Sequence, residues 1–579
     1  MLRPVYTEPE NCQDCYKCIR ECPVKAIKVE NNKASIIEER CICCGHCTLI
    51  CPTGAKKVRD GLTKAKYILS RYPGKVYLSL APSYVSEFGD YSVSRLIASI
   101  KSLGFSGVSE TALGAELVSA ATERYIKRTD GVIHISSACP VIVEYIRKYA
   151  PSFTANITPI VSPMLAHAKM LRELYGEDIK IVFAGPCIGK KDESDNHKEL
   201  VDVAITFGDL FEWLKFETSY FSENCTTGTN DVFIPYSSRS GALYPVEGGM
   251  LLGMRKSEIP VHYMAFSGLS AVKDVLDGLN SRKFNNPIFL ELLACSGGCV
   301  NGPAKLNKTS VAGKRYDVIN KCEKGNPHKD FCNLDLSLAY FSDSKESAHD
   351  YKELDIKEAL ASVGKLSQQD ELNCSSCGYD SCRDFAIAML EGNAESNMCV
   401  SYMRKIAHDK ATVLLQKIPA GVILVNSELK VVDMNRNFAV YMGEDTLSTY
   451  DLLPGMSGAS LNRICPFVSY FETVLTTGEE YKERRINKNG KIWLLSIYNI
   501  QRHRLVFGLL QDLHEPAVRK EWVLEKTREV ILNHMTTVQK VAGLLGENAA
   551  FTDSTLRSII DAFAEDVKET GKGQLNEKQ

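Results

Sequence analysis

Residues 75–82 form a short, mostly apolar run, broken by Ser79, that stops at Pro82, the pattern of a buried strand. Residues 91–103 are apolar at helical spacing and end at Gly104, and residues 117–126 repeat that spacing. Residues 131–135 and 179–184 read as strands, and each runs directly into a loop that carries a cysteine. This alternation predicts an α/β core with its chemistry in loops at strand ends. Further along, residues 418–426 and 429–435 read as strands around a turn at Ser427 and Glu428, followed by a short helix over 436–442. Lys488, Asn489 and Gly490 give a hairpin-turn signal, and residues 491–498 and 504–513 complete an antiparallel sheet. After Pro516 the pattern is helical. Ile531, Met535, Val538, Val541 and Leu545 make one apolar stripe, and Leu556, Ile559, Ile560, Phe563 and Val567 make another. These helices read equally as a cap on the sheet or as a dimerisation and partner-docking output. The tail over 571–579 is polar and is expected to be disordered.

A chain of 579 residues is too long for one core and suggests three or four domains. The formal net charge of -2 gives no reason to expect nucleic-acid binding or a polybasic membrane anchor. No window reaches 18 consecutive apolar residues, so no membrane span is expected. The N-terminus lacks the apolar core of an export signal, so a cytoplasmic location is expected. The 21 cysteines change this ordinary picture. They cluster at metal-ligand spacings, which in a reducing compartment points to metal sites rather than disulfides.

Cys12, Cys15, Cys18 and Cys22 follow C-x2-C-x2-C-x3-C-P, and Cys41, Cys44, Cys47 and Cys51 repeat it. That run winds the backbone around a cubane and sends the fourth thiolate across to a second cluster. Two zinc knuckles are the alternative, which the duplication disfavours. The pattern resembles two-cluster bacterial-type ferredoxin domains. By that resemblance one [4Fe-4S] cluster takes Cys12, Cys15, Cys18 and Cys51, and the other takes Cys22, Cys41, Cys44 and Cys47. Cys43 lies off the pattern and reads as a bystander.

In the core, residues 136–140 hold Cys139, residues 185–193 hold Cys187, and residues 291–303 hold Cys295 and Cys299. Gly297 and Gly298 suggest that backbone there approaches a bulky inorganic group closely. The three loops, in this order behind a ferredoxin-like domain, resemble the active-site loops of [FeFe]-hydrogenases over roughly residues 1–310. The resemblance implies that Cys139, Cys187, Cys295 and Cys299 hold a [4Fe-4S] subcluster and that Cys299 bridges to a diiron unit with CO and cyanide ligands, together an H-cluster. It matches Lys190 to a lysine that hydrogen-bonds a cyanide, and Glu193 to an acid that closes the second loop. Ser162 and Pro163 also match. Other positions depart from the family. Ala138 stands where catalytic members carry a proton-relaying cysteine, a loss worth about 10²–10⁴ in rate. Ile142, Gly185 and Leu293 replace a tryptophan and two methionines, and Thr122 and Tyr125 stand where the carboxylates of the proton path fall. Glu116 and Glu123 lie on the same helix without an assigned role. A maturation-type or prelamin-recognition-like relative without the diiron unit is the alternative, and Lys190 argues against it.

Cys374, Cys377, Cys382 and Cys399 form C-x2-C-x4-C-x16-C, with Gly378 allowing a turn. This resembles the small [4Fe-4S] domain of corrinoid iron–sulfur proteins; structural zinc is the alternative. The order of elements over 415–515 resembles a PAS domain. His503, His514 and Cys465 there read as ordinary surface or core residues rather than ligands, and Cys225, Cys322 and Cys332 fit no motif.

The expected fold class is therefore multidomain α/β and α+β. Its parts are a two-cluster ferredoxin domain over 1–60, a hydrogenase-like core over 62–345, a small [4Fe-4S] domain over 355–415, a PAS domain over 415–515 and amphipathic helices over 516–570. The resemblance implies a sensory hydrogenase with three [4Fe-4S] clusters and an H-cluster, turning over H2 and protons slowly. Its expected partners are a redox carrier such as ferredoxin, the maturation enzymes, a kinase or phosphatase, and a second copy of itself. A ferredoxin-dependent turnover hydrogenase and a multi-cluster redox scaffold are the alternatives. No kinase ATP-binding signature, DNA-binding motif or glycine-rich phosphate loop is present.

Overall fold

A computed structural model describes residues 2–129, 131–217, 231–254, 261–279, 284–307, 309–322, 334–342, 351–488 and 491–512. The turn at Asn489 and Gly490, the helices after Pro516, Cys225, Cys332 and His514 lie outside the described residues. The chain forms two units: residues 1–13, 17–356 and 390–393 make the first, and residues 14–16, 357–389 and 394–579 the second. No helix among the described residues is long and apolar enough to cross a membrane.

The first unit opens with two antiparallel pairs. Strand β1 (Val5–Thr7) pairs with β4 (Lys56–Val58), and β2 (Ile27–Glu30) pairs with β3 (Lys33–Ile36). The core then holds two parallel sheets rather than one. Strands β5 (Val76–Leu80), β6 (Gly107–Glu110), β8 (Lys180–Gly185) and β9 (Val203–Thr206) run in the order β6-β5-β8-β9. Strands β7 (Ile133–Ile135), β10 (His262–Ser267) and β11 (Ile288–Leu293) run in the order β10-β11-β7. Nearly every residue of β8 and β11 is buried, the expected pattern for parallel strands covered on both faces.

Polar residues tie the first sheet to its helices. Ser79 of β5 and Ser109 of β6 each lie 2.8 Å from a ring nitrogen of the fully buried His167, on the helix Pro163–Tyr175. Ser79 also bonds Thr111 at 2.7 Å. That helix crosses Thr111–Arg128 at Gly114, where a Cβ would stand 2.2 Å from the Pro163 carbonyl oxygen. Only glycine permits that approach.

In the second unit, strands β12 (Gly421–Asn426), β13 (Val431–Met434), β14 (Tyr481–Lys488), β15 (Lys491–Gln501) and β16 (Leu505–Asp512) form an antiparallel sheet. Its order is β13-β12-β16-β15-β14. Phe438, Tyr450, Leu461 and Phe471, from four successive helices, pack onto Ile423, Leu495, Ile497 and Leu510 of the sheet. The sequence pattern gave the first of these helices, Arg436–Met442, and missed Glu444–Leu452, Leu461–Ile464 and Val468–Thr477. Cys465 is a buried member of this core.

Candidate metal centre

The three core cysteine loops all leave the C-terminal ends of parallel strands, the edge where open α/β sheets place their sites. Cys139 follows β7 and caps the helix Pro140–Tyr149, Cys187 follows β8, and Cys295 and Cys299 follow β11. The four thiols lie within reach of one another's charge: Cys187 and Cys299 both feel Cys139, and Cys295 feels the other three. Burial and mutual repulsion push Cys187 up to about 11 and raise Cys299 and Cys295 further. Four buried thiolates are costly without a counter-charge, and an iron–sulfur core supplies one. Among the described residues no three His, Cys, Asp or Glu side chains converge tightly enough for a single metal ion.

The two glycines of the third loop also pack closely against neighbouring protein. A Cβ on Gly298 would sit 2.4 Å from the Pro245 carbonyl oxygen, and one on Gly297 would sit 2.4 Å from Val311 Cγ1. Both have positive φ. They seat the loop closely on neighbouring protein. The chain beyond is held by Glu87, whose Oε2 accepts the amides of Leu306 at 2.7 Å and Asn307 at 2.8 Å. Lys314, fully buried, pairs with its other oxygen.

A largely apolar cavity of about 90 Å³ opens between the loops, lined among others by Ala138, Cys139, Cys187, Lys190, Tyr244 and Cys299. Lys190 Nζ donates to Ser162 Oγ at 2.8 Å and to Glu193 Oε2 at 2.6 Å, so the second loop is tied to the first turn of the Pro163–Tyr175 helix. Ala138 presents only a methyl group to the cavity.

Of the acids on helix Thr111–Arg128, Glu116 is structural: its Oε1 accepts the amides of Arg239 at 2.6 Å and Gly241 at 3.3 Å. Glu110, just before the helix, likewise accepts Ser238 N–H at 2.6 Å. The Thr122 hydroxyl is buried without a hydrogen-bond partner, and Tyr125 packs edge-on against His134. One carboxyl that the sequence reading left without a role is Glu291. Among the described residues its Oε2 is buried with no partner, its Oε1 accepts Met250 N–H at 3.4 Å, and burial pushes it up to about 7. No sequence signal distinguished it, because an acid within an apolar strand is informative only once its surroundings are known.

The N-terminal sets differ in what the structure gathers. Cys22, Cys41, Cys44 and Cys47 feel one another's charge, and burial raises Cys44 to about 12. Cys295 also feels Cys44. A Cβ on Gly45 would lie 2.4 Å from Ile188 Cδ1 and 2.9 Å from Pro303 Cγ, so this loop rests directly on the second and third core loops. For the other set, Cys12 Sγ accepts Ala34 N–H at 3.5 Å and Cys51 Sγ lies 3.6 Å from Thr53 Oγ1. Cys43 is buried, and its amide donates to Cys41 Sγ at 3.4 Å. In the second unit Cys377 feels Cys374, Cys382 and Cys399, and burial raises it to about 11. Gly378 takes the positive φ expected of it.

Residues 74–303 match the family model "Iron only hydrogenase large subunit, C-terminal domain". Residues 4–52 match a 4Fe-4S dicluster domain, and residues 370–401 match a small Fe-S cluster domain. The chain is 23% identical to iron hydrogenase 1 of Clostridium pasteurianum over 385 residues, covering 53% of this chain and 67% of that one. It is 24% identical to the NADP-reducing hydrogenase subunit HndD of Solidesulfovibrio fructosivorans, covering 50% of this chain and 60% of that one. Among solved structures, the [FeFe]-hydrogenase HydA1 of Chlamydomonas reinhardtii aligns with a TM-score of 0.36 and 16% identity, over 49% of this chain and 99% of that one. Residues 74–303 are thus similar to the C-terminal domain of iron-only hydrogenase large subunits, and iron–sulfur domain matches lie on either side of them.

Proposed function

We propose that the chain is a sensory [FeFe]-hydrogenase that binds H2, or reports redox state, with slow turnover. Cys139, Cys187, Cys295 and Cys299 would hold a [4Fe-4S] subcluster, Cys299 would bridge to a diiron unit, and Lys190 would donate to an anionic ligand of it. Bound there, the diiron group supplies an open metal position for H2 or CO. The residues do the rest: Ser162 and Glu193 orient Lys190, and the apolar lining keeps water away. The observation that carries the reading is Ala138, which faces the same cavity as Cys139 and Cys299 with nothing to carry a proton. A sensor tolerates that loss, because occupancy rather than turnover carries its signal.

The charge coupling of Cys44 to Cys295 and the close seating of Gly45 support electron exchange between the core centre and an adjacent N-terminal cluster. A second N-terminal cluster and one on Cys374, Cys377, Cys382 and Cys399 would extend the carrier set. The β13-β12-β16-β15-β14 sheet with helices on its core face supports a PAS domain over 415–515. That domain would pass the change to a separate kinase or phosphatase, in a cytoplasmic and dimeric protein.

Infrared spectra of chain co-expressed with the maturation enzymes test this directly. Bands from metal-bound CO and cyanide that shift under H2, with evolution rates at least a hundredfold below those of a cysteine-bearing enzyme, are expected. Absence of those bands would leave a redox scaffold, and fast evolution would leave a turnover hydrogenase.

A further inference from the structure

We infer that the face around Cys374 docks a soluble one-electron carrier protein whose redox centre is ringed by lysine or arginine. The inference rests on Cys374, Cys377, Cys382 and Cys399 holding a [4Fe-4S] cluster, as proposed above.

Cys374 is the one cysteine exposed among the described residues; Cys382 and Cys399 are buried and Cys377 is half-buried. Tyr379, Phe385 and Met398 close the module's interior. A cluster held by these four ligands would therefore be shielded on three sides and reach solvent at Cys374. Electrons cross between proteins where a centre approaches the surface, so this edge is the module's outlet.

The surface around that edge is built for a protein. Leu366 is 82% exposed and Leu372 is 63% exposed, both within eight residues of Cys374. Large apolar side chains this open beside a redox ligand suit contact with a partner. Leu366 N–H donates to Asp370 Oδ2 at 3.2 Å, which holds Leu366 on the turn that leads through Leu372 to Cys374. The rim is acidic. Residues 365–384 carry four acids, Asp370, Glu371, Asp380 and Asp384, against two bases, Lys365 and Arg383, and Ser375 Oγ donates to the Asp380 carbonyl oxygen at 3.4 Å, which holds Asp380 beside Cys374. Lys365 is itself buried, with Nζ turned inward onto the Asp370 carbonyl oxygen at 2.8 Å. An apolar centre with an acidic rim selects a carrier of opposite charge and speeds its encounter.

Ferric cytochrome c, a lysine-rimmed haem protein, serves as probe. Full-length, cluster-loaded chain is reduced anaerobically with dithionite, freed of excess and mixed by stopped flow. One electron passes per encounter: a reduced cluster returns to its oxidised level and ferric haem becomes ferrous, with no proton moved. Asp370 and Asp384 brace local turns, so the charge test uses Glu371→Lys with Asp380→Lys. Expected is a second-order rate that falls as salt rises and drops about tenfold in this double variant at low ionic strength. Leu366→Asn with Leu372→Asn should slow transfer several-fold at every salt concentration. Rates unmoved by both pairs, with cluster signals intact in electron paramagnetic resonance, would overturn the docking face. So would faster transfer to an acidic ferredoxin than to cytochrome c. A Cys374→Ala chain that keeps every cluster signal would instead overturn the underlying cluster assignment.

Discussion

His167 makes the most demanding test of the core. Its ring is fully buried and bonded through both nitrogens to serines on adjacent strands, and burial pushes it from the usual 6.5 down to about 3. The folded state therefore keeps a neutral imidazole where the unfolded chain takes up a proton. Between pH 6.5 and 3 the unfolded state binds one more proton, so stability falls as pH falls through that window and is fully present above it. From pH 7.5 to pH 5.5 the binding term changes by one decade, about 1.4 kcal/mol. Replacing His167 with Gln removes the titrating group. The stability gap between wild type and His167→Gln should thus shrink by about 1.4 kcal/mol on going from pH 7.5 to 5.5. Native-state hydrogen exchange of peptides covering β5 and β6 reads this locally, free of the separate unfolding of other domains. At pH 7.5, His167→Leu should cost about 2–4 kcal/mol, because the Ser109 hydroxyl loses its bond to the ring. A gap between wild type and His167→Gln that does not move with pH would refute the reasoning.

Three further outcomes are expected. Ala138→Cys should raise H2 evolution by up to about 10²–10⁴ if the missing relay limits turnover, measured on matured protein; no gain would mean the route beyond it is also broken. Gly45→Ala forces a side chain with φ of 74° into Ile188 and Pro303. It should cost about 2–4 kcal/mol and slow reoxidation of the N-terminal clusters under evolving conditions, followed by freeze-quench spectroscopy. Lys314→Met leaves Glu87 buried without its cation, and should cost about 3 kcal/mol and raise hydrogen exchange across residues 302–307.

The parts of the fold written in contiguous residues were readable in the sequence. The apolar runs before Cys139 and Cys187 became β7 and β8, and in the four-cysteine pattern at 374–399 Cys377 feels the charge of the other three. What failed was whatever depends on distant partners. His167 meets serines 88 and 58 residues away, so it looks like any histidine on an apolar helix face. Glu87 and Lys314 are 227 residues apart, and nothing local marks either as buried. Gly297 and Gly298 were visible, but their contacts with Val311 and Pro245 were not, because a glycine signals a close approach without naming what approaches. The three missed helices between β13 and β14 are short, and packing against the sheet sustains them more than any periodicity of their own.

The grouping of buried thiols at the core site has a consequence for assembly. Burial raises the thiols of Cys187, Cys295 and Cys299, which favours their protonated forms in the folded apoprotein. Each sulfur must release a proton before it can ligate iron. Loading Cys187, Cys295 and Cys299 is then a coupled exchange of up to about three protons for one cluster, favoured by alkaline conditions. The scaffold that gathers the ligands thereby also makes the step at which the cofactor enters sensitive to acidity.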